Sequence, residues 1–166
     1  MNTTTPAGAV KPFAHAPEPT PETLPFWEGA RAGELRIQRC RSCARHYFDP
    51  RPHCRHCASA DTEWTRVSGR ARLVSYIINH RPAPGFRDYS PVIAMVQLDE
   101  GPTLMSNIVG VEPLPENLPL DMRLEVRFEE RGEAVLPVFA PAAPATDGPN
   151  TVAVPSGSEQ TRQVTA

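Results

Sequence analysis

Cys40, Cys43, Cys54 and Cys57 form two C-x-x-C pairs separated by ten residues. Each pair can place two thiolates on one tight turn, and two such turns facing each other supply the four soft sulfur ligands of a tetrahedral zinc. Disulfides are the competing chemistry. They suit an oxidising compartment, whereas residues 1–11 show no charged region followed by an apolar one that would direct the chain there. A single C-x-x-C beside a βαβ pattern would suggest thiol redox work; two facing pairs in a short ribbon suggest a closed structural site. Iron in the same four-sulfur cage would give a rubredoxin-like electron carrier, and spacing alone does not separate the two metals. His46, His53 and His56 crowd the second pair, but four cysteines already complete the shell, so these histidines read as exposed groups on the ribbon.

The elements that must hold these thiolates follow from patterning. Residues 34–39 alternate apolar with polar and run straight into Cys40, as a strand entering the first metal turn would. Residues 63–67 read as a returning strand, with Tyr47, Phe48, Pro50 and Pro52 between the cysteine pairs. This three-stranded ribbon has too little apolar surface to fold alone, and metal ligation has to supply the missing stabilisation. Upstream, residues 25–33 read as a short helix with Thr23 as its cap, Glu28 in its first turn and Gly33 at its end. Its Phe26-Trp27 pair is either a packing anchor or a partner-binding knob.

From Ser68-Gly69 onward the pattern becomes one of strands, at 70–79, 92–98, 103–109, 123–129 and 134–139. The fourth alternates charge and hydrophobe at every position, so one face should be buried and the other wet. Asp99-Glu100-Gly101-Pro102 is a tight connection between the second and third. Five strands with one tight hairpin fit a small Greek-key barrel of the OB type. In such barrels the loop between the first two strands and the loop between the last two frame the usual binding face. Here the first of these, 81–91, carries Arg81, Phe86, Arg87 and Tyr89. The connection 110–121 holds Pro113, Pro115 and Pro119, so any helix there must be short or absent.

The expected organisation is therefore a disordered tail over 1–23, a helix over 24–33, a zinc ribbon over 34–67, an OB-fold over 68–140 and a second disordered tail over 141–166. Both tails are rich in Pro, Ala, Thr and Ser and carry little periodic apolar content. No apolar run reaches the length needed to cross a bilayer, and the expectation is a soluble, cytoplasmic protein without a membrane partner. The net charge of −2 offers no broad attraction to nucleic acid, although arginines outnumber acidic residues between 31 and 72. Those arginines either touch phosphate or offset the formal −2 of a zinc tetrathiolate.

No constellation for catalysis stands out. There is no Gly-rich phosphate loop after a strand and no G-x-S-x-G, and four cysteines committed to a metal leave no thiol as nucleophile.

Taken in order, the helix with Phe26-Trp27-Glu28, the Leu35-x-Ile37-x-x-Cys40 entry, the two cysteine pairs with Pro50 and Pro52 between them, Ser68-Gly69, Glu100-Gly101-Pro102 and Leu136-Pro137-x-Phe139 resemble a known arrangement. It is that of the acyl-CoA-associated family of rubredoxin-like zinc ribbons joined to a C-terminal OB-fold, domain-of-unknown-function family thirty-five. The resemblance implies zinc on Cys40, Cys43, Cys54 and Cys57. It also implies a non-catalytic accessory role on a thiolase-fold acyl-CoA enzyme or a steroid side-chain aldolase, the partner carrying the reactive group. Any contact to CoA would fall to Arg81 and Arg87 for phosphate and Phe86 for stacking on adenine, and partner contact to Phe26 and Trp27. Ala44 departs from the glycine often found after the second cysteine of that family.

The alternative is a nucleic-acid-binding module, since OB-folds and zinc ribbons both occur there. Against it, the segments 92–98 and 103–107 lack the aromatic and basic side chains of a single-strand stacking platform.

Overall fold

A computed structural model describes residues 17–143, so the predicted tails fall largely outside the described residues. One helix, α1 (Leu24–Arg31), precedes eight strands: β1 (Arg36–Cys40), β2 (His46–Tyr47), β3 (Thr62–Arg66), β4 (Arg70–Ile78), β5 (Val92–Leu98), β6 (Thr103–Asn107), β7 (Arg123–Arg131) and β8 (Ala134–Pro141). The chain is mostly β, as expected.

Helix α1 starts differently from its sequence reading. Thr23 makes no capping bond to the first turn; its hydroxyl accepts the Thr20 N–H at 2.9 Å instead, closing a turn over 20–23. Glu28 falls in the second turn because the helix begins at Leu24. The C-terminal end follows expectation. Gly33 takes φ +73° and its N–H reaches the Ala30 carbonyl, while the Glu34 N–H reaches the Gly29 carbonyl. These two bonds satisfy carbonyls the helix would leave open.

The strands form two sheets, β2-β1-β3 and β6-β5-β4-β7-β8, with every pairing inside them antiparallel. In the larger sheet β6 ends at Asn107, short of the predicted Val109, because Ile108 leaves the ladder to bridge Phe139 of β8 in parallel. That bridge nearly closes the sheet into a barrel, the partial closure by which an OB-fold removes its edges. The 110–121 connection holds only a 3-10 turn, Pro115–Asn117, as its prolines dictate.

The barrel interior is filled by Ala71 and Leu73 of β4, Val92, Ala94, Val96 and Leu98 of β5, Leu104, Ile108, Leu118, Leu124 and Phe139. The same cluster takes in Phe26, Leu35 and Ile37, so the helix and the base of the ribbon share the barrel's core rather than forming one of their own. The alternation predicted for β7 is only partly realised. Leu124 is buried where β7 lies beside β4, but Val126 and Phe128 are half-buried, because β4 pairs with β7 only over Arg70 to Arg72. Gly69 sits at the ribbon–barrel junction with φ +72°, and a Cβ there would collide with Val126 Cγ1. Only glycine fits both the backbone and the space.

Candidate metal centre and the adjoining groove

Strand β1 delivers Cys40 and is fixed from both sides, by β2 through Gln38 and Arg39 and by β3 along its whole length. Buried Gln38 also accepts the Arg51 N–H at 2.8 Å, which holds the proline-flanked loop between the cysteine pairs against the strand. The two C-x-x-C turns repeat one geometry. Each ends in an alanine forced to positive φ, Ala44 at +60° and Ala58 at +58°. The left-handed backbone after the second cysteine explains why glycine suits that position and shows that the Ala44 departure leaves the turn intact.

The turns bring the four sulfurs together. Cys40 Sγ lies 3.6 Å from Cys57 Sγ, Cys43 Sγ lies 3.7 Å from Cys54 Sγ, and all four ligand atoms fall within 4.8 Å of one another. Tetrahedral zinc with bonds of about 2.3 Å requires sulfur separations of about 3.8 Å, so this donor set fits the ion. The cysteines are unpaired, at distances far beyond a disulfide bond. The electrostatics point the same way. The Cys40 thiol is held down to about 6, first by the Cys43 N–H, whereas Cys57 is pushed up to about 12. For Cys57 the Ser59 N–H is the largest influence and lowers it, but the neighbouring sulfurs and burial together outweigh that bond. Four thiolates at this spacing repel one another until a dication neutralises them. The histidines stand outside the cluster. His53 and His56 are exposed, and His46 on β2 is half-buried, its pKa lowered by burial and by the Arg39 charge against the opposing pull of Glu100.

Ion pairs engage much of the ribbon's positive charge. Glu34 holds Arg36 and Arg66, Glu63 holds Arg39 and Arg41, and Asp61 adds a second bond to Arg41. On the barrel, Arg72 pairs with Asp121 and hydrogen-bonds Gln97. Beyond the Arg72–Gln97 pair, part of the outer face of β4 to β6 is apolar: Met95 stands opposite Met105 and Ile77 opposite Ile93, with Met105 69 % and Ile77 61 % exposed.

That face leads into a groove of about 530 Å³ between α1, the 79–91 loop and the β6 and β8 side of the barrel. The candidate binding residues divide around it. Phe26, Trp27 and Phe86 line it together, whereas Arg81 and Arg87 are exposed elsewhere on the loop and do not. Phe26 is buried and meets Trp27 and Phe48 edge to face at 4.9 and 5.7 Å; Trp27 is half-buried at the rim.

Sequence reading missed the residue that organises this groove. Arg131, 4 % exposed, lies 4.4 Å from the centre of the Tyr89 ring and donates to Asn107 Oδ1 at 3.2 Å and Glu129 Oε2 at 3.1 Å. Asn107 in turn donates to the carbonyls of Ser90 and Val92. The two loops expected to frame the OB binding face thus meet, Tyr89 from one resting on Arg131 beside the other. Nothing in the alternating charges of β7 distinguishes Arg131 from its exposed neighbours Arg123 and Arg127.

A short helix, a four-cysteine zinc ribbon and a nearly closed five-stranded OB barrel define a zinc-ribbon and OB-fold protein. Family models agree over both parts: "ChsH2, rubredoxin-like zinc ribbon domain" matches residues 27–63 and "ChsH2, C-terminal OB-fold domain" matches residues 64–129. The chain belongs to the DUF35 family of ChsH2-type zinc-ribbon and OB-fold proteins. It is 31 % identical to a DUF35 domain-containing scaffold protein of Methanothermobacter thermautotrophicus, over 68 % of this chain and 87 % of that one. It is 36 % identical to a probable enoyl-CoA hydratase alpha subunit of Thermomonospora curvata over 81 % of this chain, but spans only 42 % of that protein's length. Among solved structures, a chain of the Ltp2-ChsH2(DUF35) aldolase superposes with a TM-score of 0.68 at 32 % identity, covering 76 % of this chain and 99 % of that one. Among the described residues no helix is long and apolar enough to cross a membrane.

Proposed function

We propose that this chain is a non-catalytic, zinc-stabilised subunit that docks on a thiolase-like or steroid side-chain aldolase-like enzyme and supports its work on acyl-CoA in the cytoplasm. The observation that carries this reading is the similarity to nearly the whole of a chain in the Ltp2-ChsH2(DUF35) aldolase. Two features of the chain support it. The four sulfurs converge on one metal position, which uses the thiols as ligands and leaves the centre closed. The outer face of β4 to β6 and the groove rim expose Ile77, Met95 and Met105, side chains suited to burial against another protein. In this reading Cys40, Cys43, Cys54 and Cys57 ligate zinc, Trp27 with Phe26 behind it meets the partner, and Phe86 approaches the CoA ester. Arg81 and Arg87 lie on the same loop, outside the groove, where a phosphate at its mouth would be in reach.

The similarity to a hydratase alpha subunit supports a second reading, in which the partner activity is hydration of an enoyl-CoA. One experiment separates the two. Co-expressed with a thiolase-like enzyme and, separately, with an enoyl-CoA hydratase chain from the same cell, the protein should co-purify through gel filtration with the first and change its acyl-CoA turnover. Stable association with the hydratase alone selects the second reading. A chain that ignores both and binds single-stranded oligonucleotides with a steep salt dependence overturns both and restores the nucleic-acid alternative.

A further inference from the structure

One buried donor in the wall of the groove has no acceptor. Asn107 gives its amide hydrogens to the carbonyls of Ser90 and Val92, and the hydroxyls of Ser90 and Ser106 go to the carbonyls of Ile108 and Pro137. Arg131 forms part of the same wall and differs from them. Its bonds to Asn107 Oδ1 and Glu129 Oε2 both come from Nη2, while Nε is buried and without a partner. Tyr47 and Glu100 hold the other unmet buried side-chain atoms found among the described residues, and neither lines this groove. A buried donor left without an acceptor is destabilising in a way that an apolar side chain at the same place is not. Arginine is therefore a poor filler for this position unless something answers it.

What the position lacks is an acceptor rather than a charge. The guanidinium is already paired with Glu129 at 3.1 Å, the two side chains being 5 % and 31 % exposed. A carboxylate brought to Nε would meet the Glu129 carboxylate at close range in a poorly screened site. A carbonyl oxygen accepts the same hydrogen bond without that repulsion. Tyr89 does not compete for it, because its ring lies 4.4 Å over the guanidinium carbon whereas the N–H donors point outward in the guanidinium plane. The rest of the wall is mainly apolar, with Phe26, Trp27, Phe86 and Leu136, and a volume of about 530 Å³ suits a small ligand with an apolar body. The 82–89 part of the loop is the side able to yield as such a ligand reaches Nε, since its backbone bonds, Phe86 to Ala83 and Tyr89 to Phe86, stay within the loop.

We propose that the groove binds an apolar molecule bearing a carbonyl oxygen, a ketone or a thioester, and that this oxygen accepts the Arg131 Nε hydrogen. The proposal shares its groove with the acyl-CoA reading but does not depend on it, because a ketone without CoA presents the same oxygen.

The test is a ligand titration of the zinc-loaded full chain, followed through the Arg131 Nε–H signal in heteronuclear NMR, which is assigned by its loss in Arg131→Lys. Three probes share a phenylalkyl body. Benzylacetone, the ketone, should bind about tenfold more tightly than butylbenzene, which has no oxygen, and than hydrocinnamate, which carries a carboxylate instead, as one hydrogen bond to a charged donor implies. It should also shift the Nε–H signal. Arg131→Lys keeps the charge beside Glu129 but removes the in-plane donor, and should bring benzylacetone down to the level of butylbenzene, with zinc content and circular dichroism checking the fold. Hexanoyl-CoA against CoA alone identifies the source: a thioester that moves the same signal makes the ligand the acyl end of a CoA ester, and one that does not leaves the site to free carbonyl compounds. Equal affinity for benzylacetone and butylbenzene overturns the proposal, as does an Nε–H signal that bound benzylacetone leaves in place. Tighter binding of hydrocinnamate overturns it in favour of an anion site. If Arg131→Lys does not fold, the three probes on the unaltered chain decide the matter.

Discussion

The ribbon tip and the barrel solve the same stability problem with different materials. The barrel encloses a continuous apolar cluster from Ala71 to Phe139, nearly closed by the Ile108 to Phe139 bridge. At the tip the only buried residues clustered together are Cys40, Tyr47 and Cys54, with Cys43 packed against them. Three of those four are proposed metal ligands, so the ion takes the place a core would fill. A small module without an apolar interior depends on ligation, whereas a barrel depends on packing and should outlast the loss of metal.

The sharpest way to break this contrast is to remove the metal. Chelation, or Cys40→Ser, should release zinc and strip exchange protection from 40–62 while β4 to β8 keep theirs. Apparent ligation energies of structural zinc peptides, about 10–16 kcal/mol, set the scale of what the tip loses. Elemental analysis and hydrogen exchange read the two halves separately, and simultaneous collapse of both would show that the barrel leans on the tip. A second substitution attacks the other half. Leu73→Ala deletes a fully buried side chain from the barrel wall and should cost about 2–5 kcal/mol in denaturant unfolding of the zinc-loaded protein. The smallest effect sharpens the picture of the tip. Ala44→Gly and Ala58→Gly each relieve a positive φ and should raise the tip's stability by about 1 kcal/mol, measured as slower zinc transfer to a competing chelator. No change in either variant would mean that the metal turns hold the strain without cost.

Much of the ribbon could be read from residues because its geometry is local. Two cysteines three apart on a turn define their own separation, and β1 is written into 34–40 by alternation. The barrel strands were similarly evident, to within a residue or two at most ends, since a strand buried on one face must alternate. The discrepancies have tertiary causes. Thr23 turns back to Thr20 rather than forward to the helix, and β6 stops at Asn107 because Ile108 is needed across the barrel on β8.

The binding residues separate along the same line. Phe26, Trp27 and Phe86 were singled out by type and do share a groove, but Arg81 and Arg87 do not line it, and Arg131, a buried arginine in its wall, went unseen. A charged residue on an alternating strand looks exposed until another segment is laid over it. Tyr89 comes from a loop more than forty residues upstream, and only the closed barrel brings the two together.

By itself, then, the sequence marked out a four-sulfur metal site, the ribbon strand that leads into it and the strands of the barrel behind it, because each of these is set by spacings of a few residues. Tertiary structure alone decided which sulfurs face each other, which arginines ion pairs engage and which one lies buried, and that the helix, the 79–91 loop and the barrel enclose a groove. Those outcomes depend on contacts between segments distant in the chain, and local patterning carries no record of them.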